Sequence, residues 1–214
     1  MKVLIAYATK HGSTAEVAHG IAETLRRDRF DVDVVEARHV HRVSGYDGVI
    51  VGGSIYVGKW HPDALGLVNR HADEMKRIPV AIFALGPKTL EEHDIATSRA
   101  QLDAALAKAT NIHPERIAIF GGVIDPSKVH FPFNRMPASD ARDWNTITAW
   151  ALEFGTIVRN RSVVPTNGGS AATPMNSRLP AVTIDVKAAH TRGRSKGVSH
   201  VQVDRLGDRR ITGG

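Results

Sequence analysis

The sequence predicts a doubly wound α/β domain over residues 1–160 of a 214-residue chain, with five parallel strands covered by helices on both faces. Short apolar segments alternate with helix-period segments long enough to carry a parallel crossover. The first of them, Val3–Ala8, is continuously apolar, the pattern of a strand buried on both sides. Crossovers between parallel strands are right-handed, which leaves a doubly wound sheet as the topology that covers both faces.

Taken in order, Val3–Ala8 is the first strand, and Ser13 to Arg27 follows as a helix with Val17, Ile21 and Leu25 repeating at i, i+4, i+8 beside Ala18 and Ala22. Ser13 and Glu16 fit the spacing of a capping box. Asp31–Val35 alternates as a second strand, and the strongly apolar Asp47–Gly53 is a third. His61–Lys76 reads as a helix with Pro62 in its first turn and a stripe of Leu65, Val68 and Ala72. Pro79–Leu85 is a fourth strand, Ser98–Ala109 an alanine-rich helix, and Arg116–Phe120 a fifth strand. Ser139 or Asp140 is expected to cap a last helix that carries Trp144, Ile147, Trp150, Ala151 and Phe154.

Composition excludes several classes. No cysteine is present, which removes disulfides, thiolate metal sites and a cysteine nucleophile. No run approaches the 18 apolar residues of a membrane span, and Val3–Ala8 is too short for a secretory core, so the cytoplasm is the expected compartment. Residues 1–160 carry 19 basic and 19 acidic side chains, whereas residues 161–214 carry nine and three. Hence the whole formal charge of +6 sits in the second segment. That segment contains linker-like Asn167–Pro174 and basic Arg192–Lys196, with weak strand patterns at Val182–Val186 and Val198–Val203. It reads as a flexible or disordered basic tail. Without a Phe, Trp or Tyr it lacks stacking groups, so specific nucleic-acid recognition is not expected; peripheral contact with an anionic membrane is the role its charge would permit. Eleven scattered histidines form no H-E-x-x-H or His–carboxylate cluster, and no metal is expected. Oligomeric state is not legible.

The chemistry gathers in Thr9-Lys10-His11-Gly12-Ser13-Thr14, between the first strand and the first helix. Backbone N–H groups and a helix dipole favour an anion there, Gly12 permits a tight turn, and the hydroxyls of Thr9, Ser13 and Thr14 can donate to phosphate oxygens, with Lys10 adding charge. The loop is neither G-x-G-x-x-G nor G-x-x-x-x-G-K-[ST]; one glycine among hydroxyls suits a monophosphate. The alternative is that Ser13 only caps a helix and Thr9 only ends a strand. After the third strand, Ser54-Ile55-Tyr56-Val57-Gly58 and Trp60 supply aromatics and a hydroxyl at the same sheet edge, and Tyr56 or Trp60 is expected to stack on a planar ring. Leu85-Gly86-Pro87 could offer backbone N–H groups to a polar ring edge, and Gly122, in the turn after the fifth strand, could line the same site.

The segment Ile5–Ile21 resembles the signature of the flavodoxin family: an aromatic at the strand end, T-x-x-G-x-T, then an alanine and an aliphatic on the helix. Tyr7, Thr9, Gly12, Thr14, Ala18 and Ile21 match, while Ala6 stands where a larger apolar residue is usual. The resemblance implies strand order 2-1-3-4-5 and a bound FMN at the carboxyl ends of the strands, for which flavodoxin is itself a standard example. S-I-x-x-G-x-[aromatic]-H after strand three, F-G-G ending strand five and Arg142-Asp143-Trp144 are similar to flavodoxin-domain proteins related to menaquinone-dependent protoporphyrinogen IX dehydrogenase. Two departures stand out: Tyr56-Val57 replaces R-Y, and Asp125–Pro137 is short where those proteins carry a long insertion. The resemblance implies an FMN oxidoreductase working between a small reduced substrate and a quinone-type acceptor, with quinone and NAD(P)H as candidate partners. The alternative is a flavodoxin-type electron carrier with no substrate of its own. No side chain is singled out as catalytic.

Overall fold

A computed structural model describes residues 1–87, 89–108, 112–128, 135 and 137–163, all within one compact unit, Met1–Asn167. The basic segment beyond residue 163, including both weak strand patterns, lies outside the described residues.

Strand β1 (Lys2–Ala8) lies second from one edge of the sheet. It pairs in parallel with β2 (Asp31–Glu36) on one side and β3 (Gly48–Tyr56) on the other, with Ile5 opposite Val34 and Ile50. Strands β5 (Val80–Leu85) and β6 (Arg116–Phe120) extend the sheet, and the two-residue β4 (Lys59–Trp60) hangs antiparallel on β3. The order β2-β1-β3-β5-β6 is the expected 2-1-3-4-5 once the long strands are counted alone. Alternate residues feed opposite faces. Val3, Ile5, Ile50, Ala81, Phe83 and Leu85 face helices α1 (Ser13–Arg27) and α5 (Trp144–Val163). Leu4, Ala6, Val49, Val51, Val80 and Ile82 face α2 (Pro62–Arg70), α3 (Ala72–Met75) and α4 (Glu92–Leu106).

The helix ends differ from their sequence patterns for local reasons. The Ser13–Glu16 capping box does not form. Gly12 is the N-cap at φ 96°, no side chain caps the helix, and Ser13 is already its first residue. The expected His61–Lys76 helix breaks at His71, whose backbone leaves helical geometry (φ −116°, ψ 20°) and whose ring pairs with Glu74 at 2.6 Å. Helix α4 starts at Glu92, before the expected Ser98, because Thr89 organises its entry: the hydroxyl donates to Asp94 at 2.7 Å and accepts from the Glu91 N–H at 3.3 Å. Only Ser98 and Leu102 of this helix are buried, so it presents no apolar period to detect.

Ser139 and Asp140 do not cap α5; they form β8 (Ser139–Asp140), antiparallel to β7 (Val123–Ile124). The cap is Asp143, whose carboxylate accepts the Asn145 and Thr146 N–H groups at 3.0 and 3.2 Å and the Thr146 hydroxyl at 2.7 Å. These bonds, the Thr146 hydroxyl first, hold the Asp143 carboxyl below its usual pKa. Ile147, Trp150, Ala151, Phe154 and Val158 then face the core, with Trp150 edge-on to Phe83 and Phe120. Among the described residues, no helix is long and apolar enough to cross a membrane.

The buried Phe83 ring lies flat over Gly52 of the neighbouring strand, in the space a Cβ would need. We expect Gly52→Ala to cost about 2–3 kcal/mol, as overpacking of a filled core does. Urea denaturation checks it, and unchanged stability would show that the ring lies elsewhere.

Candidate cofactor-binding site

β1 ends at Ala8 and α1 begins at Ser13, so four residues turn the chain from the sheet into the helix. Thr9 Oγ1 accepts the Gly12 N–H at 2.9 Å and cinches the turn. Gly12 needs to be glycine for its backbone, not for space: φ is 96°, and nothing lies within 4 Å of a Cβ built there. The turn aims the first N–H groups of α1, which have no intrahelical carbonyl, past the strand ends.

Around this turn lie polar atoms that the protein does not satisfy. Thr14 is fully buried and its Oγ1 has no partner; His11 Nε2 and Ser54 Oγ, the latter on β3, are buried without partners too. Among the described residues five side-chain atoms are in this condition, and three of them belong to the β1–α1 turn, the first turn of α1 and the last part of β3. An unsatisfied buried polar atom costs roughly 1–3 kcal/mol, so such a cluster is the signature of a ligand's place rather than of a core. Two hydroxyls and an imidazole nitrogen beside a helix N-terminus fit an anion with several acceptor oxygens.

The second side of the site is the β3–β4 hairpin. Residues 54–56 had been expected in a loop, but β3 continues through Ser54, Ile55 and Tyr56 to a two-residue turn at Val57 and Gly58. Both turn residues have positive φ, 49° and 73°, the geometry of a tight primed hairpin turn. Val57 is β-branched in the left-handed region and 75% exposed, a strain of order 1–2 kcal/mol at the rim of the site. Tyr56 leans back over the turn after β1: Lys10 Nζ is 3.9 Å from its ring centroid, and the His11 ring centroid is 6.1 Å away at 60°.

Of the two aromatics proposed for ring stacking, Trp60 belongs to the core. It is 3% exposed, its indole N–H donates to Gly53 O at 3.2 Å, and it packs beneath α2 beside Ala64. Tyr56, half-exposed at the strand ends, is the aromatic a ring can reach. The remaining wall also differs from expectation. Leu85 and Pro87 are buried; the Gly86 N–H donates to Phe120 O at 3.3 Å, the Gly122 N–H donates to Pro87 O at 2.7 Å, and Pro87 has none. These turns hold one another and offer surface, not free N–H donors. Ile55 packs within van der Waals reach of Gly86 and joins the two walls.

One feature was not legible from local spacing. Arg142, just before α5, reaches Glu16 on α1, 126 residues away in sequence. Its guanidinium is held charged chiefly by Asp140 and also by Glu16, and it keeps the Asp140 carboxyl below its usual pKa. No group of three or more metal-ligating side chains is assembled among the described residues.

Residues 4–136 match the family model described as a flavodoxin domain. The protoporphyrinogen IX dehydrogenase [quinone] of Escherichia coli K12 is 26% identical over 129 residues, covering 58% of this chain and 70% of that protein. Oxidised flavodoxin 2 from Bacillus cereus aligns with a TM-score of 0.47 at 21% identity, over 73% of this chain and 99% of its own. A flavodoxin from the domain Archaea gives 0.45 at 12%, over 74% and 99%.

Replacing the orphaned hydroxyl by a methyl of similar shape tests the site without any ligand. We expect Thr14→Val to stabilise the ligand-free protein by about 1 kcal/mol in urea denaturation. A loss of similar size would show that the hydroxyl has a partner within the protein.

Proposed function

Because the chain belongs to the flavodoxin domain family, we propose that it is an FMN-dependent oxidoreductase. It would pass electrons or hydride between a small reduced substrate and a quinone-type acceptor, with the cytoplasm as its compartment. The observation that carries this reading is that Thr14 Oγ1 and His11 Nε2 at the start of α1, and Ser54 Oγ in the last part of β3, are buried and unpartnered.

FMN, when bound, supplies one- and two-electron chemistry through its ring system. The chain's own residues divide between its two ends. Thr9, Lys10, His11, Gly12, Ser13 and Thr14 would hold the phosphate by hydroxyls, main-chain N–H groups and charge. Ser54, Ile55, Tyr56, Val57 and Gly58 would form one side of the ring's place, with Tyr56 against a face, and Leu85, Gly86, Pro87 and Gly122 the opposite wall. The exposed Val57 leaves this rim apolar, suited to a flat acceptor such as a quinone. A quinone acceptor is also supported by the name of the Escherichia coli relative.

An electron carrier is the second reading, favoured by the family as a whole. Carriers that dock by long-range attraction depend on a strong net charge. Residues 1–160, with 19 basic and 19 acidic side chains, lack that device.

We expect the FMN-loaded protein to oxidise NADPH or another small reductant in the presence of a menaquinone analogue, at a rate nearly independent of ionic strength. Reduction only by a protein partner, slowing steeply between low and physiological salt, would establish the carrier instead. Thr14→Val should weaken FMN binding by about 1.5–3 kcal/mol while stabilising the empty protein. An unchanged Kd, read by flavin fluorescence, would place the phosphate elsewhere.

A further inference from the structure

Two members of the Arg142-Asp143-Trp144 triplet, Arg142 and Trp144, tie the start of α5 to α1. Arg142 has a side chain only 10% exposed. Its Nη1 donates to Glu16 at 2.6 Å, while Nη2 and Nε donate to the two carboxylate oxygens of Asp140 at 2.6 and 2.8 Å. The Arg142 main-chain N–H adds a bond to Asp140 at 3.1 Å. Asp143 caps α5, and Trp144 stands 5.1 Å from the guanidinium, its ring fitted into the notch left by Gly20 on α1.

A guanidinium so enclosed is costly to desolvate, and a simple surface tie would not require it. What it holds is Glu16. That residue is one turn into α1, and its N–H donates to Gly12 O at 3.2 Å. A carboxylate in the first turn lies within about a Debye length of any anion at the helix N-terminus, and opposes the attraction of the helix dipole. Glu16, Asp140 and Arg142 together carry a charge of −1; without Arg142 the same place would carry −2.

We propose that Arg142 is a positioning residue for the phosphate of the bound flavin: it holds the Glu16 carboxylate outward and offsets its charge, so that the start of α1 accepts a dianion. This rests on the FMN reading above. The role is electrostatic and reaches the phosphate through Glu16, which separates it from a purely structural clamp.

The test compares FMN with riboflavin, which lacks the phosphate, by fluorescence titration of full-length variants. Glu16 is half-exposed and partly screened, so we expect Arg142→Gln to weaken FMN about fivefold and riboflavin less than about twofold. Glu16→Gln/Arg142→Gln, with the cluster back at −1, should recover the FMN affinity of the unaltered protein. Glu16→Gln alone, which keeps Arg142 on Asp140 and the fold intact, should tighten FMN about as much and leave riboflavin unchanged. Equal losses for both ligands in Arg142→Gln, no recovery in the double variant, or no gain in Glu16→Gln would overturn the proposal. Failure of the unaltered protein to bind FMN would overturn the FMN reading, and this inference with it.

Discussion

The structure turns on the four-residue passage from β1 to α1. A central parallel strand must hand the chain to a helix lying on one face of the sheet, and here it does so through a turn closed by the Thr9–Gly12 bond and by the positive φ of Gly12. That constraint fixes where α1 begins, and so where its unpaired N–H groups point. Because β1 lies between β2 and β3, the chain leaves it toward one face and leaves β3 toward the other. The crevice at this switch point is therefore a product of topology. The hydroxyl of Thr9 and the imidazole of His11 then need only occupy the turn itself, and that of Thr14 the first turn of α1.

Building the site this way sets stability against function. Thr14 Oγ1, His11 Nε2 and Ser54 Oγ stay unpaired, and Val57 is held at φ 49°. Each is a local cost, set against inner strands that are buried: Val3, Ile5, Val49, Ile50, Ala81 and Phe83 are inaccessible to solvent. His11 and Thr14 belong to the start of α1, Ser54 and the strained turn to the β3–β4 hairpin, and the stacking of Lys10 on Tyr56 joins the two. Such rule-breaking is expected at functional sites and in few other places.

How much of this was legible in the sequence depends on the range of the interaction concerned. The succession of strands and helices along the chain and the helix stripe of Val17, Ile21 and Leu25 follow from periodicity, since a buried face imposes its period on its own residues, whereas the order of strands in the sheet was implied by the family resemblance. The turn after β1 is legible because its residues are contiguous. Trp60 and Tyr56 were not separable, since an aromatic four residues beyond another carries no mark of which one the sheet edge will bury. The capping box failed because Ser13 and Glu16 have the right spacing but the wrong register, one residue inside the helix. Asp143 was missed as a cap because Ser139 and Asp140 offered the same chemistry slightly earlier. The tie from Arg142 to Glu16 spans the domain, and no local pattern announces it.

The central claim is that the turn after β1 and the β3–β4 hairpin together hold FMN. A visible absorption spectrum of the purified protein, taken after incubation with FMN and desalting, tests it most directly. Flavin bands that survive desalting at close to one equivalent per chain are the expected result. A spectrum that stays flat after reconstitution would contradict the claim and leave the fold without its proposed ligand.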